Sequence, residues 1–131
     1  MPKLSAAQEK WLRALESRKY RQGRGFLWVK DRKGRMTYDC FGVACVELGI
    51  DTNKMEASEL EPENSLGFLA PDEVVEVLEL YDSTGKNISD DKLSVTILND
   101  GDRQFGLRPH SHKQIAKIIR ANPQHYFKNM S

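Results

Sequence analysis

The chain has 131 residues, 39% of them hydrophobic and 30% charged, with a formal net charge of +1. That length supports one core, and no apolar run approaches the ~18 residues of a membrane-spanning helix, so a membrane protein is excluded as the reading. The apolar residues recur periodically, which argues for a folded domain over a disordered polyelectrolyte.

Met1-Pro2-Lys3-Leu4-Ser5 lacks the apolar core of a signal peptide, so a cytoplasmic location is expected. Ser5-Ala6-Ala7-Gln8 has the form of a capping box, and Ala7, Trp11, Leu12 and Leu15 follow at helical spacing; the spacing predicts a helix over 6–20 ended by Gly23 and Gly25. Phe26 to Val29 and Met36 to Tyr38 flank the turn signal Asp31-Arg32-Lys33-Gly34, so residues 26–39 read as a β-hairpin. Asp39 caps a helix running through Leu48, with Gly49 just past its end.

Residues 51–70 are acidic and rich in turn formers, which predicts an irregular segment. Pro71 fits the first turn of a helix carrying Val74, Val75, Val77, Leu78 and Leu80, although the valines also suit a strand. Residues 82–87 read as a loop. The stretch between Asp90 and Asn99 fits a strand or a short helix, and Asn99-Asp100-Gly101-Asp102 reads as a turn. Ser111-His112-Lys113-Gln114 is a second capping box, opening a helix with Ile115, Ala116, Ile118 and Ile119 inward and stopped by Asn122-Pro123. His125, Tyr126 and Phe127 are expected to latch the tail onto the core. The fold class is therefore α+β: a single domain with a small antiparallel sheet and N-terminal, central and C-terminal helices.

Charge is unevenly spread. Residues 1–50 carry 11 Lys and Arg against 5 Asp and Glu, residues 51–102 carry 3 against 14, and residues 103–131 carry 6 cations and no acid. Such segregation either neutralises itself within the fold or drives association, so a homo-oligomer is one expectation. Cys40 and Cys45 on one helix would face different directions, so both are expected as free thiols. The histidines do not form paired ligand spacings, and neither a metal nor a cofactor is expected.

Four constellations carry chemistry. In the first, Arg21, Gln22, Gly23, Arg24 and Gly25 join guanidinium forks to a backbone able to expose N–H groups, a pattern suited to phosphate or carboxylate. A helix C-terminus turning into the hairpin reads equally from the same residues. In the second, Cys40 at a helix N-terminus has the setting of an activated thiol, and Tyr38-Asp39-Cys40-Phe41-Gly42-Val43 resembles the Asp-Cys-Ser-Gly segment of papain-like cell-wall endopeptidases over about six residues. Phe41 stands where their serine does, Asp39 opposes thiolate formation, and a small buried core cysteine fits the same sequence.

The third is the Ile115-Ala116 pair in a capped helix. With Arg108, Lys113, Lys117 and Arg120 it has the outline of a DNA-binding helix-turn-helix, but too little chain follows Pro123 for a recognition helix. Nucleic acid is therefore not the expected partner. The fourth is His110 and His112, which beside Arg108 would form an anion-binding lip, titrate near neutrality, or simply sit in a surface capping loop.

The order Trp11-x-x-Ala14-Leu15-x-Ser17-x-x-Tyr20-x-Gln22-Gly23-x-Gly25, then Tyr38-x-Cys40-x-Gly42-Val43-x-Cys45, then Leu98-Asn99-Asp100 with Ile115-Ala116, resembles a family of small proteins carried by bacteriophages, prophages and some bacteria. Asp39 stands where many of those relatives have a further cysteine, and the stretch from Gly106 to His112 looks like an insertion. The resemblance implies a phage or mobile-element context and carries no activity over to any residue.

The expectation is thus a non-enzymatic accessory protein of the host-cell cytoplasm. It would act on a host or defence protein, or sequester a small anionic, nucleotide-like ligand. Arg21, Arg24 and Arg108 would pair the anion, Gly23 and Gly25 would let backbone amides approach, Trp28 or Tyr38 would stack on a base, and Gln22 is a further binding residue. Cys40, His110 and His112 complete the set. The alternative is a cysteine hydrolase using Cys40 with His110 or His112.

Overall fold

Ser5 opens the first helix as its sequence context predicts: Gln8 N–H donates to the Ser5 hydroxyl (3.1 Å) and Ser5 N–H donates to Gln8 Oε1 (2.8 Å). In the computed structural model, which describes residues 2–51, 65–66 and 69–131, this helix (α1) spans Ala6–Glu16 and stops short of the expected residue 20. The Ser17 hydroxyl turns back onto the Ala14 carbonyl (2.8 Å), Lys19 N–H donates to Ser17 Oγ, and Arg18 adopts φ +60°. Gly23 and Gly25 therefore do not terminate the helix.

The hairpin pairs β1 (Trp28–Lys30) with β2 (Met36–Tyr38) in antiparallel register, Trp28 opposite Tyr38. Asp31 builds the turn by accepting from the N–H groups of Lys33 and Arg35, with Gly34 at φ +77°. A third strand, β3 (Ser65–Leu66), pairs with the other edge of β1, giving the order β2-β1-β3. The rest of the expected irregular stretch over 51–70 lies outside the described residues, apart from Asp51, Leu69 and Ala70.

α2 (Cys40–Glu47) begins and ends as its sequence indicates. Gly42 N–H donates to the Asp39 carboxylate (2.7 Å), and past the end Gly49 (φ +67°) donates to Val46 O while Ile50 donates to Cys45 O, a Schellman closure. α3 (Asp72–Leu78) resolves the helix-or-strand ambiguity as a helix burying Val74 and Leu78, with Pro71 at the position before its first turn. α4 (Val95–Asp100) is likewise a helix, preceded by a 3-10 turn at Asp91–Leu93 and capped by the Ser94 hydroxyl. Asn99 and Asp100, expected in a turn, close this helix, and Gly101 (φ +76°) follows. α5 (His112–Ala121) carries the second capping box, and 3-10 turns at Pro123–His125 and Lys128–Met130 follow it.

The result is a small α+β fold. Its core centres on Trp11, which stacks on Phe41 (centroids 6.0 Å apart, planes 14° apart), meets Phe127 edge-on and donates its indole N–H to Cys40 O (2.8 Å). Leu12 and Leu15 of α1, Leu98 of α4, and Ile115, Ala116 and Ile119 of α5 close around it, while Ile118, expected inward, is half-buried. Tyr126 and Phe127 do latch the tail: Tyr126 donates to Leu93 O (2.8 Å), and Lys128 N–H to Glu79 O. Arg120 ties α5 to α1 through Glu9 and Glu16, with four hydrogen bonds of 2.7–3.1 Å.

Gly42 sits where α2 crosses the chain entering β1. A Cβ there would lie 1.8 Å from Leu27 O, so the backbone itself blocks a side chain. Gly42→Ala is expected to lower stability toward the upper end of the roughly 1–3 kcal/mol typical of overpacking. Urea denaturation checks this, and a wild-type midpoint would refute the close approach.

Candidate functional site

The glycine-punctuated loop 22–25 is bound to the end of α4. Asn99, 2% exposed, donates to Gly23 O (3.0 Å) and to Asp100 Oδ1 (2.8 Å), while its Oδ1 accepts from Gln22 Nε2 (3.1 Å) and from the Cys40 thiol (3.5 Å). Arg24 Nε donates to Asn99 O (3.1 Å), a carbonyl at the negative end of α4, and Gly25 N–H donates to the Asp100 carboxylate (2.9 Å). Gly23 N–H donates to Tyr38 O (2.8 Å), with Tyr38 N–H returning to Arg21 O. A backbone expected to present N–H groups to an anion thus directs those of Gly23 and Gly25 inward.

Gln22 extends the same network to α5. Its Nε2 donates to Asn99 Oδ1 and His110 O (2.8 Å), and its Oε1 accepts from His112 N–H (3.0 Å). The His112 ring, on a residue 5% exposed, lies 3.1 Å from Tyr38 O through Nε2; a carbonyl only accepts, so Nε2 carries the proton and Nδ1 the lone pair. Burial pulls the pKa of His112 from 6.5 to about 4; the Tyr38 carbonyl opposes this and the Arg24 charge reinforces it. His112 is therefore neutral at pH 7 and does not titrate near neutrality. His110 donates its N–H to Leu98 O (2.7 Å), while its buried Nδ1 has no partner among the described residues.

Cys40 is 1% exposed, and burial pushes its thiol well above the ordinary range, with Asp39 and Asp100 adding to the effect and Arg24 opposing it. Burial raises the Asp39 carboxyl too, against the Gly42 N–H that it caps. Cys45 is buried in the core and pushed up to about 12, mainly by burial. Both cysteines are free.

A cavity lies beside this network. A cleft of about 810 Å³ runs between the end of α1 with the turn after it (Leu15, Glu16, Arg18, Tyr20, Gln22) and one side of α5 (Ser111, His112, Lys113, Gln114, Lys117, Arg120). Glu16 and Arg120 neutralise one another across it at 2.7 Å. Among the described residues, Arg18, Lys113 and Lys117 have no ion-pair partner, and all three are exposed. The Tyr20 hydroxyl donates to Glu47, and its ring meets Tyr38 edge-on (5.3 Å).

Of the residues expected at a site, Gln22 and His112 line this cleft; Arg21, Arg24 and Arg108 are exposed and do not. Trp28 and Tyr38 line a separate shallow hollow of about 180 Å³ with Met36, Gly42, Cys45, Val46 and Ile50. The sequence signal for Lys113 and Lys117 is weak: two cations one helical turn apart in an acid-free segment, a pattern that a solvated helix face also has. Arg18 gives no such signal, because it reads as an ordinary residue inside a longer α1. Among the described residues, no group of three or more His, Cys, Asp or Glu side chains is placed to hold a metal, and no helix is long and apolar enough to cross a membrane. The chain matches no protein-family model, no curated protein and no solved structure.

Because the folded-state pKa of His112 lies below its unfolded value, the unfolded chain binds the extra proton first. Stability from this residue is complete above about pH 6.5 and falls as pH drops toward 4, by on the order of 2–3 kcal/mol. Asp39, shifted upward, titrates in the opposite sense. Urea midpoints of wild type minus His112→Gln across pH 4–7 isolate the histidine. The difference should shrink steadily as pH falls below about 6.5, and a constant difference would contradict a neutral buried ring.

Proposed function

We propose that this is a non-enzymatic binding protein, an accessory factor of a phage or mobile element working in the host cytoplasm, and that it holds a small anionic ligand in the cleft between α1 and α5. One observation carries the reading. Three cations with no ion-pair partner among the described residues line one cleft, and two of them contravene the preferences of their own local structure. Lys113 stands in the first turn of α5, which holds no acid, at the positive end of the helix dipole. Arg18 holds φ +60°, a conformation costing a side-chain-bearing residue about 1–2 kcal/mol. A bound anion offsets the charge penalty at Lys113, while the backbone strain at Arg18 is one that Glu79 (φ +56°) shares away from the cleft. The ligand site thus moves from Arg21, Arg24 and Arg108 to Arg18, Lys113 and Lys117.

Other readings have less support. A hydrolase needs an accessible thiolate, whereas Cys40 is buried with a raised pKa and donates to Asn99. A thiol-reactive probe at pH 7.5 should label it only on the timescale of unfolding; fast labelling abolished by His112→Gln would favour the hydrolase. DNA binding needs a recognition helix behind α5, where two 3-10 turns stand and Tyr126 and Phe127 are buried.

Action on a host or defence protein has one observation in its favour. Phe105, 60% exposed, tips a loop pinned by paired hydrogen bonds between Asp102 and Leu107 (2.9 and 2.8 Å), between the exposed Arg103 and Arg108. An exposed aromatic among arginines is the composition of an interface anchor.

Calorimetric titration with inorganic pyrophosphate at low ionic strength tests the cleft. Lys113→Glu should abolish binding while raising stability by about 0.3–1 kcal/mol, since it places an acid at the helix start. The Arg24→Ala, Arg108→Ala double variant should bind like wild type. Binding that survives in the first variant and fails in the second would return the site to the glycine loop.

A further inference from the structure

The cleft's functional groups differ in what they leave free. The neutral polar side chains that line it are engaged within the protein. Both N–H bonds of Gln22 Nε2 and its Oε1 are occupied, and the Tyr20 hydroxyl donates to Glu47. Ser111 Oγ accepts from Gln114 N–H, while Gln114 Oε1 accepts from Ser111 N–H. Glu16, the one carboxylate among the described lining residues, receives Arg120 on both oxygens.

What remains to meet a ligand is the Arg18 guanidinium, the Lys113 and Lys117 ammonium groups, the Ser111 O–H and the Gln114 amide N–H. All of these donate. Among the described neutral lining side chains, the acceptors that remain are the Nδ1 lone pair of His112, on a residue 5% exposed, and the spare lone pairs of oxygens that already have a partner within the protein, those of Tyr20, Gln22, Ser111 and Gln114. A phosphate oxygen needs only donors and positive charge, whereas reading a nucleobase takes donors and acceptors in a matched pattern, and the neutral side chains that would form one here are held by partners within the protein. Lys113 and Lys117, at i and i+4, place their Cβ atoms about 5–6 Å apart. Two ammonium groups at that spacing serve neighbouring phosphates of one chain, with Arg18 approaching from the α1 side of the cleft.

We infer that the cleft recognises a phosphate chain by its charge and does not read the base or other group attached to it. This inference rests on the anion-binding reading of the same cleft and narrows it to a class, condensed phosphates. Their sources are nucleoside polyphosphates and inorganic polyphosphate, and the affinity is set by the number of linked phosphates.

The test is calorimetric titration of the full chain at one fixed low ionic strength with adenosine monophosphate, adenosine triphosphate, guanosine triphosphate, inorganic tripolyphosphate and a short single-stranded oligonucleotide. The two triphosphates are expected to agree within about threefold, and the monophosphate to bind at least about tenfold more weakly. Tripolyphosphate should match or exceed the nucleotides; matching supports either source, and exceeding them favours the inorganic chain. The Lys113→Gln, Lys117→Gln variant, altered only at exposed positions, should lose at least about tenfold for tripolyphosphate with a melting temperature no lower than that of the wild type.

A tenfold preference for one base overturns the inference, because it requires groups in the cleft that read the base. Equal binding of mono- and triphosphate, or tighter binding of the oligonucleotide than of tripolyphosphate, overturns it as well. In those cases anion binding at the cleft stands. If none of the five binds, the anion-binding reading falls together with it.

Discussion

The buried amide of Asn99 is the constraint on which the rest of this structure turns. Two donors and two acceptor positions are all engaged: Gly23 O, Asp100 Oδ1, the Gln22 amide and the Cys40 thiol. One side chain thereby joins the end of α4, the loop before the hairpin and the start of α2. Gln22 passes the connection on to α5 through His110 O and His112 N–H. A network this complete in a low-dielectric interior is stabilising only while every member is satisfied, and the loss of one partner leaves several buried groups unpaired. It also explains why the basic glycine loop is structural. Gly23 O and the N–H groups of Gly23 and Gly25 already have partners within the fold.

Much of the fold was legible where a local rule and the tertiary structure agree. Both capping boxes formed because Ser at the cap and Gln three residues later satisfy each other without help from the rest of the chain. The Asp39 cap and the Gly49 closure of α2 are equally local. Elsewhere the decisive partners are remote in sequence. α1 ends at Glu16 because residues 21–23 must reach Tyr38, a pairing that no helical periodicity reveals. Val95 to Asp100 is a helix because Gly25 and Arg24 satisfy its end and Tyr126 holds Leu93. Strand β3 adds to β1 from more than thirty residues away.

The site was legible in part, and for the same reason. Gln22 and His112 are on the lining, but as members of the internal network; the groups left free are Arg18, Lys113 and Lys117. Arginines next to glycines attract notice in a sequence because the pattern suits an anion. Whether Arg24 faces a ligand or a helix end depends on where α4 lies, some seventy-five residues later. Lysines on a helix attract little notice, since a solvated face has the same composition. The α1–α5 packing separates these cases: Arg120 is clamped by Glu9 and Glu16, while Lys113 and Lys117 on the same helix have no such partners.

That contrast carries the argument about function further than the cavity alone does. A sequence shaped only for stability would place an acid in the first turn of α5 and a glycine or asparagine where Arg18 turns left-handed. It would also avoid like charges one turn apart at Lys113 and Lys117, which weaken a helix by a few tenths of a kcal/mol. The chain makes the favourable choice at both capping boxes and at Gly49, so its departures are not a general looseness. At the cleft they are the charges of Lys113 and Lys117 and the left-handed backbone of Arg18; Glu79 at the end of α3 holds φ +56° as well, so it is the charge penalties that single out this place. Two like charges in the acid-free start of a helix, beside a cleft, are the departure that a bound anion would relieve, and they support the proposal that an anion occupies this cleft.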